Sequence, residues 1–165
     1  MNNPDRTPSI LIFLGSAALL LGAYGFEYIG GLQPCVLCLY QRLPHAAVLA
    51  IALSAILLVS RPVATLFLTG LAGLVLLTSA GIAGYHVGVE QKWWEGPAGC
   101  QAPGTAETVA ALRAQLLGRP VIRCGEVPWS LFGVSMAGYN MLISTAMGLF
   151  ALWTTRKITR ERPKP

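Results

Sequence analysis

The sequence predicts an all-α membrane protein, a four-transmembrane-helix bundle with a long outer loop carrying a short helix. Three observations predict it. Hydrophobic residues are 54% of the 165 and charged ones 12%, about half the charge of an ordinary soluble domain. Twelve Lys and Arg with seven Asp and Glu are too few to coat a soluble particle of this size, yet enough for the ends of a bundle. Third, four long stretches lack all four charged types: Thr7–Phe26, Leu43–Ser60, Pro62–Val89 and Val127–Thr155. Disorder is excluded by the same composition, because disordered chains are poor in apolar residues and rich in charge.

Taken in order, the spans are expected at about 8–28, 43–60, 63–88 and 130–154, in a single domain over 1–165. A hydrocarbon core of about 30 Å needs roughly 20 helical residues, and the second run only just suffices. The first could be a secretory signal, since Arg6 precedes an apolar run. A signal core is about 7–15 residues long, so the longer Ile10–Phe26 run is expected to remain as a helix. Pro44 either kinks the second helix or marks its first turn. None of the runs alternates as barrel strands do. Small residues four apart (Ala18 and Gly22; Ala80, Gly84 and Gly88; Gly133 and Ala137) suggest close helix contacts.

Four spans put both termini on one side of the membrane. Arg6, Arg61 and five basic residues of the last ten (Arg156, Lys157, Arg160, Arg162, Lys164) share that side in short segments. Arg42, Lys92, Arg113, Arg119 and Arg123 are spread over the two longer loops opposite, about 29–42 and 89–129. The positive-inside rule therefore makes both termini cytoplasmic. It also accounts for the net charge of +5 as a membrane flank rather than a nucleic-acid surface.

All four cysteines then lie outside: Cys35 and Cys38 in the first loop, Cys100 and Cys124 in the second. Disulfides persist on that side. Between the last two, Thr105 suits an N-cap and Gly118 a stop, with Val109, Leu112 and Leu116 on one face. This reads as a short helix on the membrane surface or a lid on the bundle. Trp93, Trp94 and Trp129 read as interface anchors.

Three chemistries suit four such cysteines. Zinc takes Cys-x2–4-Cys pairs, but no His follows here in a ligand pattern, and no metal is expected. Structural disulfides suit Cys100–Cys124 better than Cys35–Cys38, because closing so short a loop removes little entropy. Redox exchange suits the close pair. Arg42 stands four residues after Cys38, where helical geometry would make them neighbours, and a guanidinium favours thiolate. An arginine at a membrane edge also marks function; its simpler reading is a side chain reaching for headgroups. His86, near the outer end of the third span, reads equally as an interfacial residue or a proton donor.

Pro34-Cys-Val-Leu-Cys-Leu-Tyr-Gln-Arg42 strongly resembles the first redox motif of the disulfide-bond formation protein B (DsbB) family. Four spans, a second cysteine pair in the long loop, and Pro128-Trp-Ser-Leu-Phe-Gly-Val-Ser-Met136 before the last span are similar too. The resemblance implies an enzyme of the bacterial inner membrane, a protein-dithiol:quinone oxidoreductase. Its partners would be a periplasmic thioredoxin-like thiol oxidase of the DsbA type and the membrane quinone pool, ubiquinone or menaquinone. Such a partner sits near about −120 mV, so only a more oxidising acceptor makes its reoxidation downhill, and a bilayer stores one as quinone.

Carried over by residue, the resemblance has the partner's thiolate attack Cys100 of Cys100–Cys124, and exchange passes the electrons to Cys35–Cys38. Cys38 would meet the quinone, with Arg42 holding it ionised and His86 nearby. Gln41, standing where a well-known relative has an acid, is counted with the quinone-binding residues. Two other readings compete: a non-catalytic tetraspan protein stapled by disulfides, and a vitamin-K-epoxide-reductase-like quinone reductase. In the latter fold the reactive pair normally lies in a later span.

The charge asymmetry yields a test. A reporter fused after Pro165 is expected in the cytoplasm and one inserted near Gln115 outside it; a cytoplasmic 89–129 loop would keep all four thiols reduced and overturn the orientation.

Overall fold

A computed structural model of the chain describes residues 6–97, 100, 109 and 123–161. Four helices carry it: α1 (Thr7–Tyr28), α2 (Val36–Leu57), α3 (Pro62–Glu90) and α4 (Met136–Glu161). Each is long and apolar enough to cross a membrane. A two-stranded hairpin, β1 (Ser130–Leu131) with β2 (Val134–Ser135), precedes α4. Of the loop helix expected over 105–118, only Val109 is among the described residues.

Three boundaries differ most from the sequence reading, one being the end of α4, at Glu161 rather than near 154. The second helix begins at Val36 rather than near 43, so the loop before it is short and Cys38, Gln41 and Arg42 are helical. Cys35 is the N-cap, its sulfur accepting the Cys38 N–H at 3.2 Å. Counting charges ends the span at Arg42, but a paired arginine does not stop a helix. Pro44 is accordingly an interior residue of α2, where it deprives the Tyr40 carbonyl of its helical donor. The fourth helix begins at Met136 rather than near 130, because Phe132 (φ 50°) and Gly133 (φ 77°) form a two-residue reversal of the kind that joins hairpin strands.

α3 packs closely on both α2 and α4, α1 leans mainly on α2, and α1 barely meets α4. The core sits mid-bundle around Ile12, Val48, Ala52, Ala72, Leu76 and Ala151. Close backbone approach occurs at a pair the small-residue spacing did not single out. A Cβ on Gly73 would lie 2.9 Å from the Ala151 Cβ and 3.1 Å from the Gly148 carbonyl oxygen, and one on Gly148 3.0 Å from the Gly73 oxygen. Of the spaced residues, Gly84 faces only the Met141 side chain, and Gly22 has open space beside it. Gly88 leaves room for the Trp94 ring, whose Nε1 donates to the Tyr85 carbonyl at 2.9 Å. Trp94 is thus a packing residue as well as an interfacial one.

Filling the α3–α4 contact should force the helices apart, and overpacking costs typically about 1–3 kcal/mol. Gly73→Val is expected to lower the thermal midpoint in detergent, while Gly25→Ala, where nothing lies within 4 Å, leaves it unchanged or slightly raised.

Candidate functional site

The cysteines converge at one end of the bundle. Cys35, Cys100 and Cys124 are buried in one cluster with Leu37 and Val89, and Cys38 packs against it. Cys100 and Cys124 form a disulfide, Cα to Cα 5.0 Å, while Cys35 and Cys38 are free thiols with sulfurs 2.8 Å apart. The hydrogen bond with the Cys38 sulfur, and burial after it, push the Cys35 thiol up.

Because α2 starts early, Cys38, Gln41, Arg42 and His45 fall on one helix face, spaced by three and four. Arg42 Nη1 donates to Glu27 Oε2 at 2.5 Å, and its guanidinium lies 4.7 Å from the Tyr24 ring centroid. The arginine is therefore held from α1, by a partner that was not identified in the sequence. Its Nε is buried with no hydrogen-bond partner.

Gln41 is the hub of a buried polar chain. Its Nε2 donates to the Leu37 carbonyl at 3.3 Å and lies 2.8 Å from His86 Nδ1. Asn140 Nδ2 donates to Gln41 Oε1 at 2.6 Å, and Asn140 Oδ1 lies 2.9 Å from His45 Nε2. Ser16, Ser79 and Ser144 each place a hydroxyl 3.3 Å from a His45 ring nitrogen. At the other end His86 Nε2 is 3.6 Å from Cys35 Sγ and 3.9 Å from Glu90 Oε1. Ser135 Oγ donates to Glu90 Oε2 at 2.5 Å. All four helices contribute, and an unpaired polar group in hydrocarbon would cost several kcal/mol.

Beside this chain lies a cavity of about 510 Å³, within the range of small-molecule sites. It occupies the seam where α1 and α4 barely meet. Its walls are apolar, with Leu19, Phe26 and Ile143 among them, and Ala18 and Gly22 line it rather than forming the expected helix contact. Its polar end is Cys35, Cys38, Gln41, Arg42 and His86, so every candidate outside the long loop lines one space. His45, Glu90 and Asn140 also line it and were missed. For His45 and Asn140 the available signal was their chemistry, polar residues inside apolar runs, which membrane helices retain for a reason; Glu90 stands just past the end of the third run. Trp129, read as an anchor, lines the cavity and packs on Phe26 at 5.0 Å. Tertiary structure also supplies the histidine that the metal reading lacked: the ligand atoms of Cys35, Cys38 and His86 lie within 4.8 Å of one another.

This is a membrane bundle in which a dithiol and a disulfide meet beside an apolar cavity. A family model described as disulfide bond formation protein DsbB matches residues 5–154. Relatives called disulfide bond formation protein B include one from Methylococcus capsulatus, 34% identical over 89% of this chain and 92% of its own length. Another, from Xylella fastidiosa, is 33% identical over 96% and 94%, and one from Acinetobacter baumannii 30% over 90% and 89%. No solved structure matches. The chain belongs to the disulfide bond formation protein B family, and is thus a multi-pass membrane protein of disulfide-bond formation.

The Arg42–Glu27 pair is testable by itself. Hydrogen bonds to charged groups contribute about 1.5–3 kcal/mol, and removing one partner leaves the other charge unpaired. Glu27→Gln is expected to lower the thermal midpoint in detergent, and Glu27→Gln with Arg42→Met to recover part of it.

Proposed function

We propose that the protein is a protein-dithiol:quinone oxidoreductase of the bacterial inner membrane, with both termini cytoplasmic. In this reading it reoxidises a periplasmic thioredoxin-like oxidase of the DsbA type. One observation carries the proposal: Cys35 and Cys38 stand between the Cys100–Cys124 disulfide, packed on one side, and an apolar-walled cavity on the other.

Electrons then move in three exchanges. The partner's thiolate attacks Cys100, and its second thiol completes a partner disulfide, leaving Cys100 and Cys124 reduced. These two re-form their bond by breaking Cys35–Cys38, which takes up the two electrons and two protons. A quinone, when bound, supplies the two-electron, two-proton acceptor that restores Cys35–Cys38. The cavity suits such a molecule because Gln41 and Arg42 stand at the polar end of a space otherwise walled for an apolar ring and tail. Arg42 thereby supplies a permanent positive charge beside Cys38, in a place with little water to screen it. Glu27 and Tyr24 keep the guanidinium from swinging to the headgroups.

Anaerobic mixing of the purified protein, a reduced thioredoxin-like partner and a soluble ubiquinone analogue tests this through quinone absorbance. One quinone is expected to be consumed per partner disulfide formed. Cys100→Ser should block the mixed disulfide yet leave quinone reduction by a small dithiol, and Cys38→Ser should abolish quinone reduction. Full turnover by any single-cysteine variant overturns the relay. In the same assay Arg42→Gln is expected to raise the quinone KM and slow turnover. Arg42→Lys should recover only part, because lysine is a point charge without the planar fork.

A further inference from the structure

We propose that Asn140 and the Leu37 carbonyl, acting through the Gln41 amide, set the His86 ring as an Nε2–H donor aimed at Cys35, where the two cysteine pairs meet. The inference rests on the redox role proposed above for those pairs.

A main-chain carbonyl only accepts, so the Gln41 atom 3.3 Å from the Leu37 oxygen is the amide nitrogen. That same NH2 lies 2.8 Å from His86 Nδ1. An N–H facing a ring nitrogen requires a lone pair there, so Nδ1 is bare and the neutral ring carries its proton on Nε2. The surroundings of Nε2 agree. Glu90 Oε1, which can only accept when ionised, lies 3.9 Å from it, and Cys35 Sγ, able to accept, lies 3.6 Å away.

The amide does not turn over freely, because its oxygen is held as well. Gln41 Oε1 accepts from Asn140 Nδ2 at 2.6 Å. Asn140 is oriented in turn by its own oxygen, which accepts from Ser144 Oγ at 2.9 Å and faces His45 Nε2 at the same distance. Reversing Gln41 would set two oxygens face to face at Leu37 and two N–H groups face to face at Asn140. Assigning ring protons from the hydrogen-bond network therefore leaves one solution for both amides. It also bears on the Cys35–Cys38–His86 trio: a metal needs the Nε2 lone pair, and this arrangement puts a proton in its place.

The proton meets a need of the exchange chemistry. A thiolate of the loop pair attacks Cys35, the Cys35–Cys38 bond breaks and Cys38 leaves with the electron pair. In the resolving step the second loop thiolate attacks the first loop sulfur, the loop disulfide forms, the mixed bond to Cys35 breaks, and Cys35 leaves with the pair. A donor fixed beside Cys35 stabilises that leaving sulfur without giving up its proton. His86 is thus a hydrogen-bond donor here rather than a base, and Gln41 and Asn140 are its positioning residues.

The test needs neither partner nor quinone, so its failure is separable from failure of the proposed function. The chain has two histidines, and 15N spectra of the full-length protein in nanodiscs are expected to show His86 protonated on Nε2; a proton on Nδ1 overturns the inference. The second readout is the rate at which electrons placed on Cys100 and Cys124 by a small dithiol reach Cys35–Cys38, trapped by alkylation. Glutamine places an N–H near the Nε2 position and cannot act as a base. His86→Gln is therefore expected to stay within about threefold of wild type, and His86→Leu to fall about tenfold, the worth of one hydrogen bond of about 1.4 kcal/mol. Equal losses in the two overturn the donor role. Asn140→Leu is expected to slow exchange in the wild-type background and to add nothing to His86→Leu; additive losses overturn the positioning role. Where Asn140→Leu fails to fold, Gln41→Met takes its place in the same cycle.

Discussion

Hydrocarbon offers a buried amide no water, and the constraint on which this site depends is the complete pairing of Gln41. Its two amide atoms meet three partners: the Leu37 carbonyl on its own helix, His86 on α3 and Asn140 on α4. A bilayer supplies no hydrophobic drive for helices to associate, so polar contacts and close backbone approach take its place. The Gln41 chain is one such contact and the Gly73–Gly148 approach the other. The first joins α2, α3 and α4 at the cysteine end, and the second clamps α3 to α4 nearer the middle. α1 takes part through Ser16 and through Glu27, leaving a seam toward α4 that the cavity occupies.

The same economy explains how charge is tolerated there. Arg42 and Glu27 are each mostly buried, with side-chain exposures of 13% and 16%, and neither would be stable so placed alone. Their pairing lets α2 begin seven residues before the charge-free run, counting from Val36 to Leu43. That extension brings Cys38 into helical register with Gln41 and Arg42. The short loop in turn puts Cys35 at the N-cap, where its sulfur is drawn toward the Cys38 N–H. One ion pair thus shapes the redox motif before any ligand is considered.

Disulfide chemistry at a membrane edge joins two environments. The Cys100–Cys124 pair belongs to the loops, and Cys35–Cys38 to the start of α2 in the bundle. Val89 and Leu37 hold the two pairs in one apolar cluster. His86 stands at their junction, its Nε2 3.6 Å from the Cys35 sulfur.

The sequence by itself determined the four spans, because a 30 Å apolar slab leaves a strong compositional trace. It also determined the candidate cysteines, Arg42 and the outer-end His86, since Cys-x-x-Cys and a cation four residues on are local patterns. What it could not reveal was which distant residue satisfies each polar group. Glu27 pairs with Arg42 across 15 positions, Gln41 with His86 across 45, and Asn140 with Gln41 across 99. Helical periodicity says which face a residue occupies, but not which helix that face meets. Only the packed bundle decided that Gln41 is a hub, that His45 and Asn140 belong beside the site, and that the small residues of α1 line a cavity. The physical reason is that an apolar span is written in local composition, whereas hydrogen bonds between helices depend on rotation and register, which the tertiary contacts alone set.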